Sequence, residues 1–507
     1  VLLIKGKNKA LTDKLISNKK PGVKTGFFQI IMKTQGDGLM KSFMEKLISV
    51  VPSENQLNWQ KLEYTAFFHY GMNSFTDREW GTGKEDTLLF SPKDLNTDQW
   101  CEVLKKAEIK ACIITAKHHD GFCLWNTAYT RHSVMHTPFQ RDIVAELSAS
   151  CEKYGIKLGV YLSPWDMHES TYGSGEEYND YFCGQLTELL TQYGKLYSVW
   201  FDGACGEGPN GKRQEYDWKR YYALIRRLQP EAVIAVCGPD VRWCGNEAGD
   251  CRESEWSVVP AEVFSQSDIM ENSQKADDEE FRKQGLDQQT KDLGSLEVVS
   301  KAERLIWYPA EVDVSLRPGW FYHEAEDQQV KSFKDLKRIY LNSVGGNSVL
   351  LLNIPPHKDG FITRFDEERL EELGEFIRNN FRDNYAEQAD IKATETEGES
   401  EIANVVKEDE TYWKAVDNCN TCEIIMKLKE VKQIHYVVLQ EQIRRSQRVE
   451  RFEIWADTKE QSGLLLYNGT TIGYKKICEL APVEVTTLRI IFKDFRVAPV
   501  IQHVGLY

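Results

Sequence analysis

The residues of this chain that could do chemistry gather in one kind of place, at or just beyond the ends of short apolar runs. His69 follows EYTAFF, with Glu79 and Trp80 in the loop beyond it. Lys117-His118-His119-Asp120 follows ACIITA, Tyr161 ends KLGVYL with Trp165 just beyond, and SVWF runs directly into Asp202 and Gly203. A loop carrying Arg242, Trp243 and Glu247 follows AVIAVC. Two chemistries suit these residue types. Imidazole with carboxylate, as in His69, His118, His119 and Asp202, suits a metal-dependent hydrolase. Against it, adjacent side chains at a strand end are expected to point to opposite sides, so that His118 and His119 rarely both ligate one ion. Alternatively, His, Glu and Tyr bond hydroxyl groups in defined directions and Trp covers apolar faces, the inventory for a small polyhydroxylated ligand. Any single histidine also fits a structural role, but polar and aromatic residues at every strand end exceed what packing requires.

The elements that must hold these residues alternate. Strand-like runs at 63–68, 111–116, 157–162, 198–201 and 232–237 are separated by helical spacing at 98–107, 142–154, 179–193 and 217–228. Short apolar strands between amphipathic helices predict a parallel sheet covered on both faces. Units of about 40 residues, repeated this often, favour a (β/α)8 barrel over a doubly wound sheet, and in such a barrel the site lies at the C-terminal ends of the strands. After Trp256 the pattern loosens, with an acidic stretch at 277–280. Strands return at 304–307 and 348–352, and a helix at 366–381 closes the unit. Residues 386–400 read as a polar linker. From about Thr411 the period becomes two, in CEIIMKL, IHYVVLQE, RVERFEIWA and LRIIFKD, which predicts the short strands of a β-sandwich. The expected organisation is a lysine-rich N-terminal extension without nameable chemistry (1–51), an α/β catalytic barrel of (β/α)8 type (52–385) and an all-β sandwich (386–507).

Composition excludes several classes. The formal net charge of −15 repels phosphate backbones, so nucleic acid is not an expected partner. No apolar run reaches the ~18 residues that span a bilayer. The 13 Trp and 22 Tyr suit a sugar-binding protein as well as a large core. Several of the 12 cysteines, such as Cys112 and Cys237, sit in strand-like runs as small hydrophobes. Cys419 and Cys422 form a lone C-x-x-C without a second pair, so no zinc or redox site is expected there. Reduced thiols favour a reducing compartment. The start, VLLIKGKNKALTDK, lacks the features of a secretory signal. The expected location is cytoplasmic if this start is native, and secreted or periplasmic if a signal has been removed.

Taken together and in order, EWG, KHHDGF, WFDG, RWCGNEAG, ESEWSVV, DVSLRPGWFYH and LLLNIPP resemble glycoside hydrolase family 29, the α-L-fucosidases, over about residues 52–380. The C-terminal region resembles, less specifically, the galactose-binding-like (coagulation factor 5/8 type C) sandwich often attached to this family. The resemblance implies a retaining exo-glycosidase acting on fucosylated oligosaccharides or glycoconjugates. Asp202, in WFDG, matches the family nucleophile. Glu247, in GNEAG, matches the acid/base of the subfamily that removes terminal α-1,3/1,4-linked L-fucose from branched, Lewis-type glycans, with Glu253 and Glu255 as nearby rivals. His69, Glu79, Trp80, His118, His119 and Tyr161 match the fucose pocket, and Trp200 and Trp320 its aromatic walls. Arg242 matches a further binding residue, on a loop whose length varies between subfamilies. Two carboxyl groups about 5–5.5 Å apart suffice for this chemistry, so neither a cofactor nor a metal is expected. The alternatives are a broad-specificity α-L-fucosidase, a metal-dependent barrel hydrolase, and a non-catalytic glycan-binding protein. The presence of both Asp202 and Glu247 argues against the last. A related sugar such as L-galactose would need room near Trp320.

Overall fold

The computed structural model describes residues 42–266, 292–398 and 400–507. Most of the 1–51 extension and the acidic stretch at 277–280 therefore lie outside the described residues. Val1–Ser49 and Val50–Tyr507 are separate units. In the first, residues 42–48 form a helix; the second carries the barrel and the sandwich.

The strands in chain order are β1 (Tyr64–Phe68), β2 (Ala111–Lys117), β3 (Lys157–Leu162), β4 (Leu196–Phe201), β5 (Val233–Val236), β6 (Arg242–Trp243), β7 (Val258–Pro260), β8 (Leu305–Trp307), β9 (Ala310–Ser315) and β10 (Val349–Asn353). Eight of them form one parallel sheet in the order β5-β4-β3-β2-β1-β10-β9-β6. Its two edges meet through a parallel bridge between Ala235 and Val241, so the sheet is a nearly closed barrel. β1 and β2 are buried along their whole length, which is why they read as continuous apolar runs rather than alternating ones. Phe67, Ile113, Tyr161, Trp200, Ala235 and Leu351 fill the barrel, while Phe68, Cys112, Ile114, Val160, Val199 and Leu352 face the helices.

Several covering helices carry their start signals locally. The helix Thr97–Lys106 is capped by Asn96, whose side chain accepts from the Gln99 N–H, and it buries Trp100, Cys101, Val103 and Leu104. The helix Ile143–Tyr154 is capped by Asp142 and ends at Gly155, whose φ of 67° is the left-handed conformation a helix end favours in glycine. Below the barrel, the helix Glu54–Gln60 carries a Ser53/Gln56 capping box and drives Trp59 into the interior cluster. Among the described residues no helix is long and apolar enough to cross a membrane.

The regular βα alternation breaks after β5, where only a five-residue turn precedes β6. Val236 N–H donates to Val241 O (3.1 Å), and the tight reversal holds Val236 at φ 62°. A β-branched residue rarely adopts that conformation, and its strain is stored beside the pocket described below. This region also corrects the sequence pattern. Arg242 and Trp243, expected in a loop, form a barrel strand. The strand expected at 304–307 is β8, which pairs antiparallel with β7 outside the barrel. The barrel strand is the next one, β9, whose acidic residues hid its apolar character.

The remaining strands are β11 (Asp390–Ala393), β12 (Trp413–Lys414), β13 (Cys422–Glu441), β14 (Val449–Asp457), β15 (Leu464–Gly469), β16 (Lys476–Phe495) and β17 (Val500–Leu506), ordered β12-β17-β13-β16-β14-β15 with β11 on β13. CEIIMKL and IHYVVLQE, which read as two strands, are one. Register shifts between Lys427 and Lys432 and between Ile434 and Tyr436 bend β13 instead of ending it. Within 386–400, read as linker, β11 adds an edge strand against Ile424–Lys427; its alternation of exposed and half-buried residues runs for only four positions, too few to reveal it. Trp413, Ile424, Leu439, Phe452, Ile490 and Phe492 form a core separate from the barrel's. All twelve cysteines are free thiols.

Candidate active site

The C-terminal ends of the barrel strands surround a pocket lined by Phe67, His69, Glu79, Trp80, His118, His119, Tyr161, Trp200, Asp202, Gly203, Ala204, Val236, Trp243, Glu247, Asp313 and Trp320. It measures about 70 Å³. A larger depression of about 800 Å³ lies outside the barrel between the helices Glu176–Gln192 and Trp218–Leu228, but it is shallow and no strand ends there. The chemistry-bearing residues converge on the smaller one.

Asp202 leaves β4 with both oxygens engaged. Ala204 N–H donates to Oδ1 (2.8 Å) and the Tyr161 hydroxyl to Oδ2 (3.0 Å). His119 Nε2 stands 3.7 Å from the same Oδ2. The tautomer of His119 follows from its other contact: Ser163 Oγ spends its proton on Trp165 O (2.7 Å), so it accepts from His119 Nδ1–H (2.7 Å). Burial lowers the pKa of His119, against the opposing pull of Asp202 and Asp166, so the ring is neutral and Nε2 offers a lone pair to the pocket. His69 is set the same way. Asn353 Nδ2 donates to Trp320 O (2.8 Å) and Ser315 Oγ (2.9 Å), so its Oδ1 faces His69 and accepts from Nδ1–H (2.8 Å). Burial depresses His69 to about 3. His118 stacks on Tyr161 and, through burial, titrates well below the ordinary histidine range. Two rings of fixed tautomer thus present acceptors suited to hydroxyl groups.

Three indoles in the pocket are each held by a carboxylate. Trp200 Nε1 donates to Glu311 Oε1 (2.8 Å), Trp243 Nε1 to Asp313 Oδ1 (2.7 Å) and Trp320 Nε1 to Glu247 Oε2 (3.2 Å). Burial raises the carboxyl of Glu311 to about 7 and, with the nearby charges of Glu311 and Asp202, that of Asp313 to about 8. Both acids sit on β9 with side chains on one face, two residues apart. Trp80 packs edge-on against His119 and Trp165.

Glu79 is a tie rather than a free acid. It accepts from Trp320 N–H (2.7 Å), Phe321 N–H (3.3 Å) and His323 Nε2 (2.6 Å), and His323 Nδ1 lies 2.6 Å from Asp77. The hydrogen bond to Glu79 is the main reason the His323 pKa rises to about 9 from its ordinary 6.5, with Asp77 adding to it against burial. A raised histidine pKa stabilises the fold fully below the unfolded value and loses that contribution as pH climbs through the folded one. We therefore expect the thermal-stability advantage of the native chain over His323→Gln to be largest below pH 6.5 and to close as pH passes about 9. A gap that stays constant across that window in calorimetric melts would refute the imidazolium bridge.

The pocket lining leaves out Lys117, Asp120, Trp165, Arg242, Glu253 and Glu255, which the sequence placed near the chemistry. Arg242 points away from it: along the two-residue strand β6 alternate side chains take opposite faces, and Trp243 takes the inner one. The Arg242 guanidinium is buried against Glu255 (2.5 Å). Glu255 also lies 3.4 Å from Arg252. Burial alone would raise the Glu255 carboxyl, but the two guanidinium charges outweigh it and hold it below the ordinary range, so it is no proton donor. Among the described residues no group of three or more His, Cys, Asp or Glu side chains is arranged to hold a metal ion.

A family model described as alpha-L-fucosidase matches residues 40–381. The chain belongs to the α-L-fucosidase family. It is a glycoside hydrolase whose substrates are fucosylated glycans. It is 38% identical over 496 residues to Alpha-L-fucosidase 1 of Arabidopsis thaliana, covering 95% of this chain and 92% of that one. A Bacteroides ovatus crystal structure assigned as an α-L-fucosidase is 46% identical with a TM-score of 0.78, covering 90% of this chain and 74% of that one. A Ruminococcus gnavus GH29 fucosidase, solved in complex with fucose, is 30% identical with a TM-score of 0.78 over 90% and 95% of the two chains.

Relative to the sequence, the fucosidase pocket gains Phe67, Ala204, Val236 and Asp313 as lining residues and Glu311, Asn353, Ser163 and His323 behind them. Asp313 and His323 stand inside DVSLRPGWFYH, a motif whose sequence points only to Trp320. The period-two spacing of Glu311, Asp313 and Ser315 was the available signal.

Proposed function

We propose that this fucosidase removes terminal α-1,3/1,4-linked L-fucose from branched, Lewis-type glycans with retention, through a fucosyl-enzyme on Asp202 with Glu247 as acid/base. The observation that carries the proposal is the unequal state of the pocket's acids. Glu79 is tied by His323 and two backbone N–H groups, and Asp313 is buried with its pKa raised. Asp202 sits on a rigid strand end with its carboxylate aimed by Ala204 and Tyr161, as an attacking group requires. Glu247 sits on a loop that lines the same pocket with an indole N–H on one oxygen, where a proton can be exchanged with a leaving group. In the double displacement Asp202 would attack the anomeric carbon while Glu247 protonates the departing oxygen. Glu247 would then deprotonate the water that releases fucose. The acceptor nitrogens of His69 and His119 suit the sugar hydroxyls, and Trp200, Trp243 and Trp320 the apolar ring face and methyl. We read the C-terminal sandwich as the galactose-binding-like module its sequence resembles, a reading supported by its antiparallel strands.

The linkage preference rests on the GNEAG loop. In α-1,3/1,4-fucosylated branches a neighbouring galactose shares the N-acetylglucosamine, and contacts to it can raise turnover as well as affinity. Lewis-type trisaccharides are expected to be cleaved about 100-fold faster in kcat/KM than α-1,2-fucosylated lactose, the equivalent of roughly 2.7 kcal/mol of barrier. A panel of fucosylated oligosaccharides of differing linkage tests this. Equal rates across the panel would favour a broad-specificity fucosidase, and α-1,2 substrates proving best would overturn the assignment.

A further inference from the structure

The loop that carries Glu247 runs from Cys244 to the start of β7, and the sandwich reaches it from behind. Gln447, 1% exposed, clamps two backbone positions of this loop. Its Nε2 donates to Glu255 O (3.0 Å), and its Oε1 accepts from Ser257 N–H (3.0 Å). Thr470 Oγ1 donates to Glu253 O (2.8 Å). The buried guanidinium of Arg496 lies 3.5 Å over the ring of Trp256. The sandwich's own geometry is arranged to present these groups. The buried Glu441 carboxylate accepts from Arg448 N–H (2.7 Å), Val449 N–H (3.0 Å) and Gly473 N–H (2.8 Å), tying together the two turns that hold Gln447 and Thr470. On the barrel side the loop is closed on itself: Asn246 bonds Ala248 N–H (2.9 Å) and Asp250 O (3.0 Å) around Glu247.

We propose that the C-terminal sandwich is an intramolecular brace for the acid/base loop, with Gln447 and Thr470 as positioning residues for Glu247. The proposal rests on the acid/base reading of Glu247. A brace of this kind acts through Glu247, and kcat/KM reports its acid step, the formation of the fucosyl-enzyme. An acid displaced from the leaving oxygen costs most where that oxygen needs a proton, and a displacement of about 1 Å can cost about 100-fold. A merely structural role would slow all substrates alike.

The test uses the full chain with Gln447→Ala and Thr470→Val, the latter removing a single peripheral hydrogen bond should the former fail to fold. Each is assayed on a Lewis-type trisaccharide and on a dinitrophenyl fucoside, whose leaving group needs no proton, with Glu247→Ala alongside. The expected result is a roughly 10- to 100-fold loss of kcat/KM on the trisaccharide for Gln447→Ala and a smaller loss for Thr470→Val. Both variants should stay within about 2-fold of the native kcat/KM on the dinitrophenyl fucoside and shift the basic limb of the pH profile. Equal losses on both substrates, or none in folded variants, overturn the brace while Glu247→Ala still shows its leaving-group dependence. If Glu247→Ala itself shows none, the acid/base reading falls and the brace with it.

Discussion

Asp202→Ala is expected to lower kcat on every fucoside by about 10⁴-fold or more, roughly 5.4 kcal/mol of barrier. The physical reason is that no other pocket acid can take over the attack. Glu79 is held by three donors, and Asp313 by the Trp243 indole with its carboxyl raised to about 8. The loss should be confined to chemistry. Removing the carboxylate strips an acceptor from Ala204 N–H and the Tyr161 hydroxyl. The side chain is 24% exposed to the pocket, so water can replace it, and stability should change by no more than about 1–2 kcal/mol. Fucose binding, measured by calorimetry, should persist because the hydroxyl-facing groups remain. Azide added to Asp202→Ala enters the vacated face and should give β-fucosyl azide. Turnover within about 10-fold of the native rate, a loss far below what removal of a nucleophile costs, would dismiss Asp202 as nucleophile.

Glu247→Ala should instead separate substrates by leaving group. Cleavage of a natural glycan, whose departing oxygen needs a proton, should fall by about 10³-fold or more, within the upper range of general acid catalysis. Formation of the fucosyl-enzyme from a dinitrophenyl fucoside should fall by less than about 10-fold. The intermediate would then accumulate for want of a base, and azide should accelerate its breakdown to the α-fucosyl azide. The opposite anomers expected from the two variants test retention and the two roles at once. If no azide adduct forms, Glu247 loses its role. Glu255 could not inherit it, being enclosed by Arg242 and Arg252 with its carboxyl held ionised.

Much of the pocket was legible because of how a parallel barrel writes itself into sequence. Strands buried on both faces appear as short apolar runs, and polar residues at the ends of those runs mark the rim where a ligand sits. That pattern groups His69, His118, His119, Tyr161, Trp200 and Asp202, and all of them line the pocket. The barrel's second half was harder to read. β6 has two residues, too few for periodicity, so nothing local said that Arg242 faces out and Trp243 in. β9 carries Glu311 and Asp313 on its inner face, and acids inside a barrel defeat any expectation built on apolar character. The bulges that keep β13 one strand and the edge pairing of β11 are likewise settled by partners distant in the chain.

By itself the sequence determined the fold class, the covering helices with their caps, the family and the chemical inventory of the pocket, since each depends on local spacing or on motifs in order. Only the tertiary structure decided which of those residues act together and in what state. Asn353 sets the tautomer of His69 from 284 residues away. Phe321 and Trp320 tie Glu79 from more than 240, and Gln447 reaches the loop of Glu247 from another domain. Hydrogen-bond direction and pKa are properties of an environment, and burial brings that environment together from parts of the chain that carry no mark of one another.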